Sequence, residues 1–335
     1  MSLHEINIVQ LDKIEPHPNP DVTAMELTYI WGWQCCIGKG QFKAGDKAIY
    51  IPPDYLCPTN HPSFDFLAKE GKTKERIRVR RLKGTISQGL LISVPKELEH
   101  LPLGTNVIDQ LGIERYEPLL SKSTGGNFVG APSGLYCPKF DVESWQRWND
   151  KFVIGEQVRV TEKLHGASSR FTFAKNTNKE QIQFCGSRVN WMEEDDKNIW
   201  WIAFRQCPAI GEWCKNNPEK IIFGEVFGQV QSLKYGAKKN DVFFAAFGIL
   251  DKNIWLDFDD AKKSANEYGV PCVPLLYSGP FDIESIKKLA EGDSSWSGAN
   301  HMREGCVILP EHERVDSDLG RVQLKIVSDR YLTKE

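Results

Sequence analysis

The sequence predicts an α+β protein: a small β-barrel at the front, then a larger mixed α+β domain whose sheets are antiparallel. Short strand-like runs punctuated by Gly and Pro fill residues 1–115. From about Phe152 onward, strand runs alternate with helical periods. Between these halves the chain is Gly- and Pro-rich at first, as a connector would be. A length of 335 residues accommodates two domains, each able to close a core, and the expected division is 1–120, 121–150 and 151–335.

In the front domain, strands are expected over Glu26 to Trp33, Asp46 to Ile51, Arg76 to Leu82 and Gly89 to Val94, with Gly38-Lys39-Gly40 as a turn. Between Lys69 and Lys83 lie eight basic residues and two acidic ones, a local charge of +6, while the rest of residues 1–120 carries −7. Arg76, Arg78 and Arg80 alternate with Ile77 and Val79, so a strand would place three guanidiniums on one face and two apolar side chains on the other. Such a row, continued by Arg81 and Lys83, can follow a phosphate backbone. The competing account is an ordinary solvated face, against which the charge segregation weighs.

The connector ends in Asp141-Val142-Glu143-Ser144-Trp145, read as a short helix. Strands follow at Gln157 to Thr161, Ser168 to Phe173, Ile221 to Phe227, Val242 to Leu250, Gly305 to Leu309 and Arg321 to Val327. Helices are expected over Asp196 to Gln206, stopped by Pro208; over Asp259 to Tyr268, capped by Asp257 or Asp259; and over Asp282 to Ala290, capped by Asp282.

Composition narrows the function. With 42 Lys+Arg against 45 Asp+Glu, the net charge of −3 excludes a molecule that binds polyanions over its whole surface, so any nucleic-acid site is a local patch. A chain with 41% hydrophobic and 26% charged residues has the balance of a folded protein. Its nine cysteines include no C-x-x-C pair and read as the reduced thiols of a cytosolic protein. The start, Met1 to Asn7, lacks the features of a signal peptide, and no run approaches about 20 apolar residues, so a cytoplasmic protein with no membrane partner is expected. Gly40 to Lys47 almost forms a phosphate-binding loop, but Asp46 stands where the lysine belongs. No G-x-G-x-x-G opens a helix, and no His/Cys spacing suits zinc. Gly130 to Gly134 superficially resembles a serine-hydrolase elbow without the strand and helix that motif requires.

The chemistry concentrates where the strand Gln157 to Thr161 runs into Glu162-Lys163-Leu164-His165-Gly166. Gly166 permits a tight turn, which would leave Lys163 at a strand end beside a cleft. Alone this says little, since most lysines after strands are solvated. Lys163-Leu164-His165-Gly166, however, resembles motif I of the covalent nucleotidyltransferases, which comprise the ATP-dependent polynucleotide ligases and the messenger-RNA capping enzymes. Further fragments follow in that superfamily's order: Ser187-Arg188, Phe223-Gly224-Glu225-Val226-Phe227, Phe244 to Ile249, Glu304-Gly305 with Val307 and Ile308, and Val322 to Ile326. Each has a bland alternative. Glu225 and Glu304 could be edge carboxylates, Phe247 plain core, and Arg188 a surface residue; the ordered set lifts them above it.

Two departures sharpen the resemblance. His165 stands where DNA ligases and capping enzymes usually carry Asp, and the barrel precedes the catalytic domain instead of following it. The whole chain therefore resembles the RNA ligases with an N-terminal OB domain, found in bacteria, phages and protists, which seal 3′-OH/5′-phosphate nicks. A third departure is Val327, where a second lysine often stands. The resemblance implies ATP as cofactor with Mg²⁺ or Mn²⁺, and as partner an RNA nicked duplex or RNA/DNA hybrid, acted on by a monomer. It implies Lys163 as the nucleophile that becomes lysyl-AMP and Lys325 as the catalytic cation. Nucleotide binding would fall to Glu162, Leu164, His165, Gly166, Arg188, Glu225, Phe247, Glu304 and Lys325, with Glu225 and Glu304 also holding the metal. Burial, a cation and Lys325 would all push the Lys163 pKa down toward the attacking amine. The alternatives are a DNA ligase or capping guanylyltransferase, and an inert nucleic-acid-binding protein.

Overall fold

The computed structural model describes residues 5–116, 126–138 and 141–333. Residues 121–125, where the expected connector starts, and residues 1–4 lie outside the described residues. The chain divides into two compact units at about residue 119.

The first unit is built of short strands: β1 (Asn7–Gln10), β2 (Ile14–Pro16), β3 (Met25–Ile30), β4 (Trp33–Gly38), β5 (Lys47–Ile51), β6 (Tyr55–Pro58), β7 (Lys74–Arg76), β8 (Val79–Leu82), β9 (Thr85–Gln88), β10 (Leu90–Ser93) and β11 (Glu114–Arg115). They pair antiparallel as β1-β5-β10, β2-β3-β4, β11-β6-β7 and β8-β9. Strand β5 organises the unit because both its faces are apolar. Ile49 and Ile51 enter one cluster with Ile8, Phe64 and Val107, while Ala48 and Tyr50 enter another with Val9, Leu11 and Ile30.

The expected strand Arg76 to Leu82 is broken in two. Strand β7 pairs with β6, and β8 pairs with β9. Between them Ile77 is buried, its N–H donating to Tyr55 O and its carbonyl accepting from Asp54 N. That anchor consumes the hydrogen bonds a continuous strand would need, so Arg76, Arg78 and Arg80 do not share one strand face.

The second unit contains β12 (Phe128–Val129), β13 (Glu143–Ser144), β14 (Gln157–Glu162), β15 (Ala167–Lys175), β16 (Gln181–Ser187), β17 (Trp191–Met192), β18 (Ile221–Gly228), β19 (Val242–Asp251), β20 (Ile254–Trp255), β21 (Leu275–Pro280), β22 (Gly305–Pro310), β23 (Val315–Asp316), β24 (Gly320–Arg321) and β25 (Leu324–Val327). A seven-stranded sheet runs β12-β17-β16-β15-β18-β19-β20 and a five-stranded sheet runs β13-β25-β22-β14-β21. All these neighbours are antiparallel except β13 and β25. Helices α1 (Ile199–Gln206), α2 (Pro208–Asn216) and α3 (Phe258–Asn266) cover the larger sheet, burying Trp213, Ile222 and Phe244. Helix α4 (Ile283–Ala290) covers the smaller one through Ile286, against Val158, Val160, Leu324 and Ile326.

Pro208 both stops α1 and opens α2, a helix the sequence reading missed; proline is favoured at a first helical position because its absent N–H is not needed there. Asp282 caps α4 by accepting from Ser285 N at 3.3 Å. Asp257 precedes α3 but accepts instead from Glu313 N. Asp141 to Trp145 is not helical: it forms β13 followed by a single 3₁₀ turn, Trp145–Arg147. The last strand is interrupted, β24 ending at Arg321 and β25 starting at Leu324, yet Val322, Leu324 and Ile326 face one core as the alternation requires.

Candidate active site

Both sheets of the second unit contribute to one cavity of about 180 Å³. From β14 and its continuation come Glu162, Lys163 and Leu164; from β25, Lys325; from β18 and β19, Glu225 and Phe247; and from the turn after β16, Arg188. Glu225 is the one residue of β18 that is not fully buried, so an otherwise apolar strand presents a single carboxylate.

The backbone of Lys163 is pinned by its N–H to Gly305 O at 3.0 Å, and that of Glu162 to Pro274 O at 2.8 Å. Lys163 Nζ lies 2.8 Å from Glu304 Oε1. Glu304 Oε2 stands 3.5 Å from His165 Nδ1 and is buried without a hydrogen-bond partner. The His165 ring also lies 3.1 Å from Tyr331 Oη and 3.2 Å from Ser232 Oγ, while its backbone N–H donates to Tyr235 Oη at 2.7 Å. Glu162 is buried with both carboxylate oxygens engaged, accepting from Ser294 Oγ at 2.5 Å and Ser295 N at 2.6 Å, so it braces that loop at the cavity wall. Leu164 packs against Phe227, Tyr235 and Val273. Arg188 donates to Asp141 Oδ2 at 2.7 Å.

Gly166 has a reason other than the expected turn. A Cβ there would lie 2.2 Å from Val226 O, so glycine is what lets the start of β15 approach β18 beside Glu225. Gly305 serves likewise: its φ is +152°, and a Cβ would meet Ile326 O at 2.1 Å. Gly166→Ala is expected to destabilise the protein by about 1–3 kcal/mol. It should also slow the chemistry by displacing Glu225, measured by denaturant unfolding alongside activity.

Electrostatically the cluster differs from expectation. Burial pushes the Lys163 pKa down, but Glu304 and Glu225 outweigh it and the net direction is up. Glu304 is held at about 2: burial opposes this, and the charges of Lys163 and His165 prevail. Glu225 is pushed up to about 8 by burial, with Lys163 partly offsetting this and the charge of Glu304 reinforcing it. Lys325 goes down, through burial first and then the charge of Lys163. Among the described residues no group of three or more His, Cys, Asp or Glu could hold a metal by itself. Two carboxylates with one unsatisfied oxygen nonetheless suit a hard cation that takes its remaining ligands from phosphates and water.

Sequence reasoning missed several participants. Asp141 was read only as part of a helix, and Tyr235, Tyr331 and Ser294 lie in segments without motif. Arg170 alternates with Phe171 and Phe173 and so reads as solvent-facing, yet it is buried. Its guanidinium lies 4.3 Å from the Trp191 ring centroid and donates to Val189 O at 3.0 Å and Cys137 O at 3.4 Å. It thereby ties the turn carrying Arg188 to the segment leading to Asp141. Arg170→Met is expected to raise KM for the nucleotide roughly tenfold with kcat less affected, and Arg170→Lys to restore only part, since an ammonium lacks the planar fork.

The basic residues of the first unit occupy a separate place. Arg76 donates to Asp54 Oδ1 at 2.9 and 2.6 Å and lies over the Tyr116 ring. Arg80 is 3.7 Å from Glu75, and Arg81 donates to Gly84 O at 3.1 Å. Arg78 and Lys83 are exposed. Arg76, Arg78 and Arg80, but not Arg81 or Lys83, line a cavity of about 350 Å³.

An RNA ligase family matches residues 156–327, and an OB-fold domain family matches residues 6–94. No curated protein matches. Among solved structures, the chain is similar to a lysine-to-alanine variant of Naegleria gruberi RNA ligase with ATP and Mn (TM-score 0.82, 26% identity, covering 99% of each chain). It is likewise similar to a lysine-to-methionine variant with AMP and Mn (0.80, 27%, 98% of each chain) and to the enzyme with PPi (0.80, 27%, 98% of each chain). The first unit is an OB-fold domain and the second a mixed α+β ligase domain.

Proposed function

Because the chain belongs to the RNA ligase family, we propose that it seals 3′-OH/5′-phosphate breaks in duplex RNA or RNA/DNA hybrid at the expense of ATP, acting as a cytoplasmic monomer. The observation that carries this reading is the convergence of Lys163, Glu225 and Lys325 on one cavity, with Glu304 just behind it, 2.8 Å from Lys163 Nζ. The relatives' structures with ATP and with PPi correspond to a substrate and a product of the first transfer.

Lys163 Nζ attacks the α-phosphorus of ATP, forming a P–N bond as the bond to pyrophosphate breaks. An oxygen of the RNA 5′-phosphate then takes the adenylyl group, returning Lys163. Finally the 3′-OH attacks the 5′-phosphorus, forming the phosphodiester and releasing AMP. Mg²⁺ or Mn²⁺ held by Glu225 and Glu304 would neutralise phosphate charge and draw those carboxylates from Lys163. Burial of Lys163 itself favours the attacking amine, against the pull of Glu304 and Glu225. Lys325, on the opposite side of β25 from the core, meets charge developing on the α-phosphate. Phe247 offers its half-buried ring to the base, Glu225 its carboxylate to the ribose, and Arg188, oriented by Asp141, its guanidinium to the phosphates.

Incubation with each NTP labelled at the α-phosphate tests the reading. A denaturation-stable protein label from ATP alone, released as labelled AMP when broken RNA is added and sealed, is the expected result. Label from GTP would indicate a capping-type enzyme, and none from any NTP an inert nucleic-acid-binding protein.

A further inference from the structure

We infer that the cavity of the OB domain takes one unpaired nucleotide of the RNA substrate, its base stacked on Phe66 and its phosphate paired with Arg78. The inference rests on the RNA ligase reading for the identity of the ligand.

The basic run does not form a rail for a phosphate backbone, because most of it is already engaged. Arg76 is held by Asp54 and Tyr116, Lys74 lies 2.6 Å from Glu114, and Lys69, Lys72 and Arg80 all gather around Glu75. Of the arginines lining the cavity, Arg78 is exposed and has no ion pair among the described residues.

The wall that complements it is aromatic. The 3₁₀ turn Pro62–Leu67 is anchored by Phe64, fully buried in the core, and by His61 Nδ1, which accepts from Ser63 N at 3.2 Å. It presents Phe66, which is 61% exposed, at the same cavity. A large exposed ring on a fixed turn leaves apolar area in water that a stacked base would cover. Cys36, Ser87 and Leu90 add to a lining of mixed polarity in which Glu75 is neutralised by Lys69, Lys72 and Arg80, and about 350 Å³ falls within the range of small-ligand sites.

One ring face and one free guanidinium match one base and one phosphate. Bases inside a duplex are stacked on each other and cannot offer a face, so the nucleotide held here is unpaired. A broken RNA that also offers an unpaired nucleotide is then bound in preference to one that is fully paired.

The test compares a fully paired nicked RNA duplex with an RNA hairpin broken in its loop. Binding is measured across a salt series for wild type, Phe66→Ala, Phe66→Trp and Arg78→Ala, with self-adenylation followed on the same preparations. Phe66→Ala is expected to weaken loop-RNA binding roughly 5- to 150-fold at an unchanged salt slope, and Phe66→Trp to retain it. Arg78→Ala should lower the slope by roughly 0.7. Equal binding of both RNAs by Phe66→Ala and wild type overturns the inference, as does an equal loss on both RNAs. Because the altered residues lie in the OB domain, all variants should self-adenylate normally. Failure of the wild type to do so would instead overturn the ligase reading.

Discussion

Lys163→Ala is expected to lose the ATP-derived protein label to background, a fall exceeding roughly 10³-fold, while the protein stays folded. The lysine is placed by backbone bonds made through its own N–H, which any residue but proline retains, so the substitution removes the nucleophile without removing its setting. No replacement nucleophile stands ready. Lys325 lines the same cavity from β25, one strand removed from β14, with its pKa already lowered, but its strand pairs it opposite Val307 and Ser144, away from the start of β15. The variant should still join an RNA whose 5′ end already carries AMP, because that step needs no lysine adduct. Measuring both reactions separates the roles: undiminished label in Lys163→Ala would remove Lys163 as nucleophile, and loss of both reactions would point to a collapsed site.

Lys325→Ala should slow self-adenylation by about 10²–10³-fold, the scale of removing one preorganised group that stabilises transition-state charge. Its effect should fall on kcat more than on KM for ATP, because charge on the α-phosphate grows only as the pyrophosphate bond breaks. Leu324 and Ile326 on either side hold β25 in the core, so thermal stability should change little. The second lysine that the motif resemblance leads one to expect is Val327 here, so Lys325 acts alone or with another cation of the cavity such as Arg188. A fall confined to KM would recast Lys325 as a residue that binds the ground state.

The order of the motifs made the catalytic domain legible before any coordinates, and strand alternation was enough to turn Lys325 away from the core. What escaped were features set by tertiary approach. Nothing local announces that Gly166 answers to Val226 O, because that carbonyl belongs to a strand distant in sequence. Arg170 sits in a strand pattern that reads as solvent-facing, yet it is buried, with Trp191 over its guanidinium and the carbonyls of Cys137 and Val189 beside it. The row of three arginines failed for a related reason: alternation holds only while a strand continues, and the buried Ile77 ends one strand and starts another. Charge counting likewise overstated the basic run, since its partners Asp54, Glu75 and Glu114 are supplied largely by other strands and loops.

The pairing of β13 with β25 brings Glu143 beside Leu324 and Ser144 beside Lys325. By contrast, the strand pairings of the OB domain all close within residues 7–115. During synthesis every strand pairing of the front domain is therefore available while the ligase sheet still waits for its central strands β22 and β25. At roughly 5–20 residues per second, the interval between them is on the order of ten to forty seconds. Throughout it the nucleophile's strand has neither Glu304 nor Lys325 beside it, so a ribosome-bound chain passes through a stage with the OB strands paired and the candidate active site incomplete. The long sequence separation of these pairings also makes the ligase sheet the slower part to form after any unfolding. Recovery of RNA binding should therefore precede recovery of self-adenylation when the denatured protein is diluted into buffer.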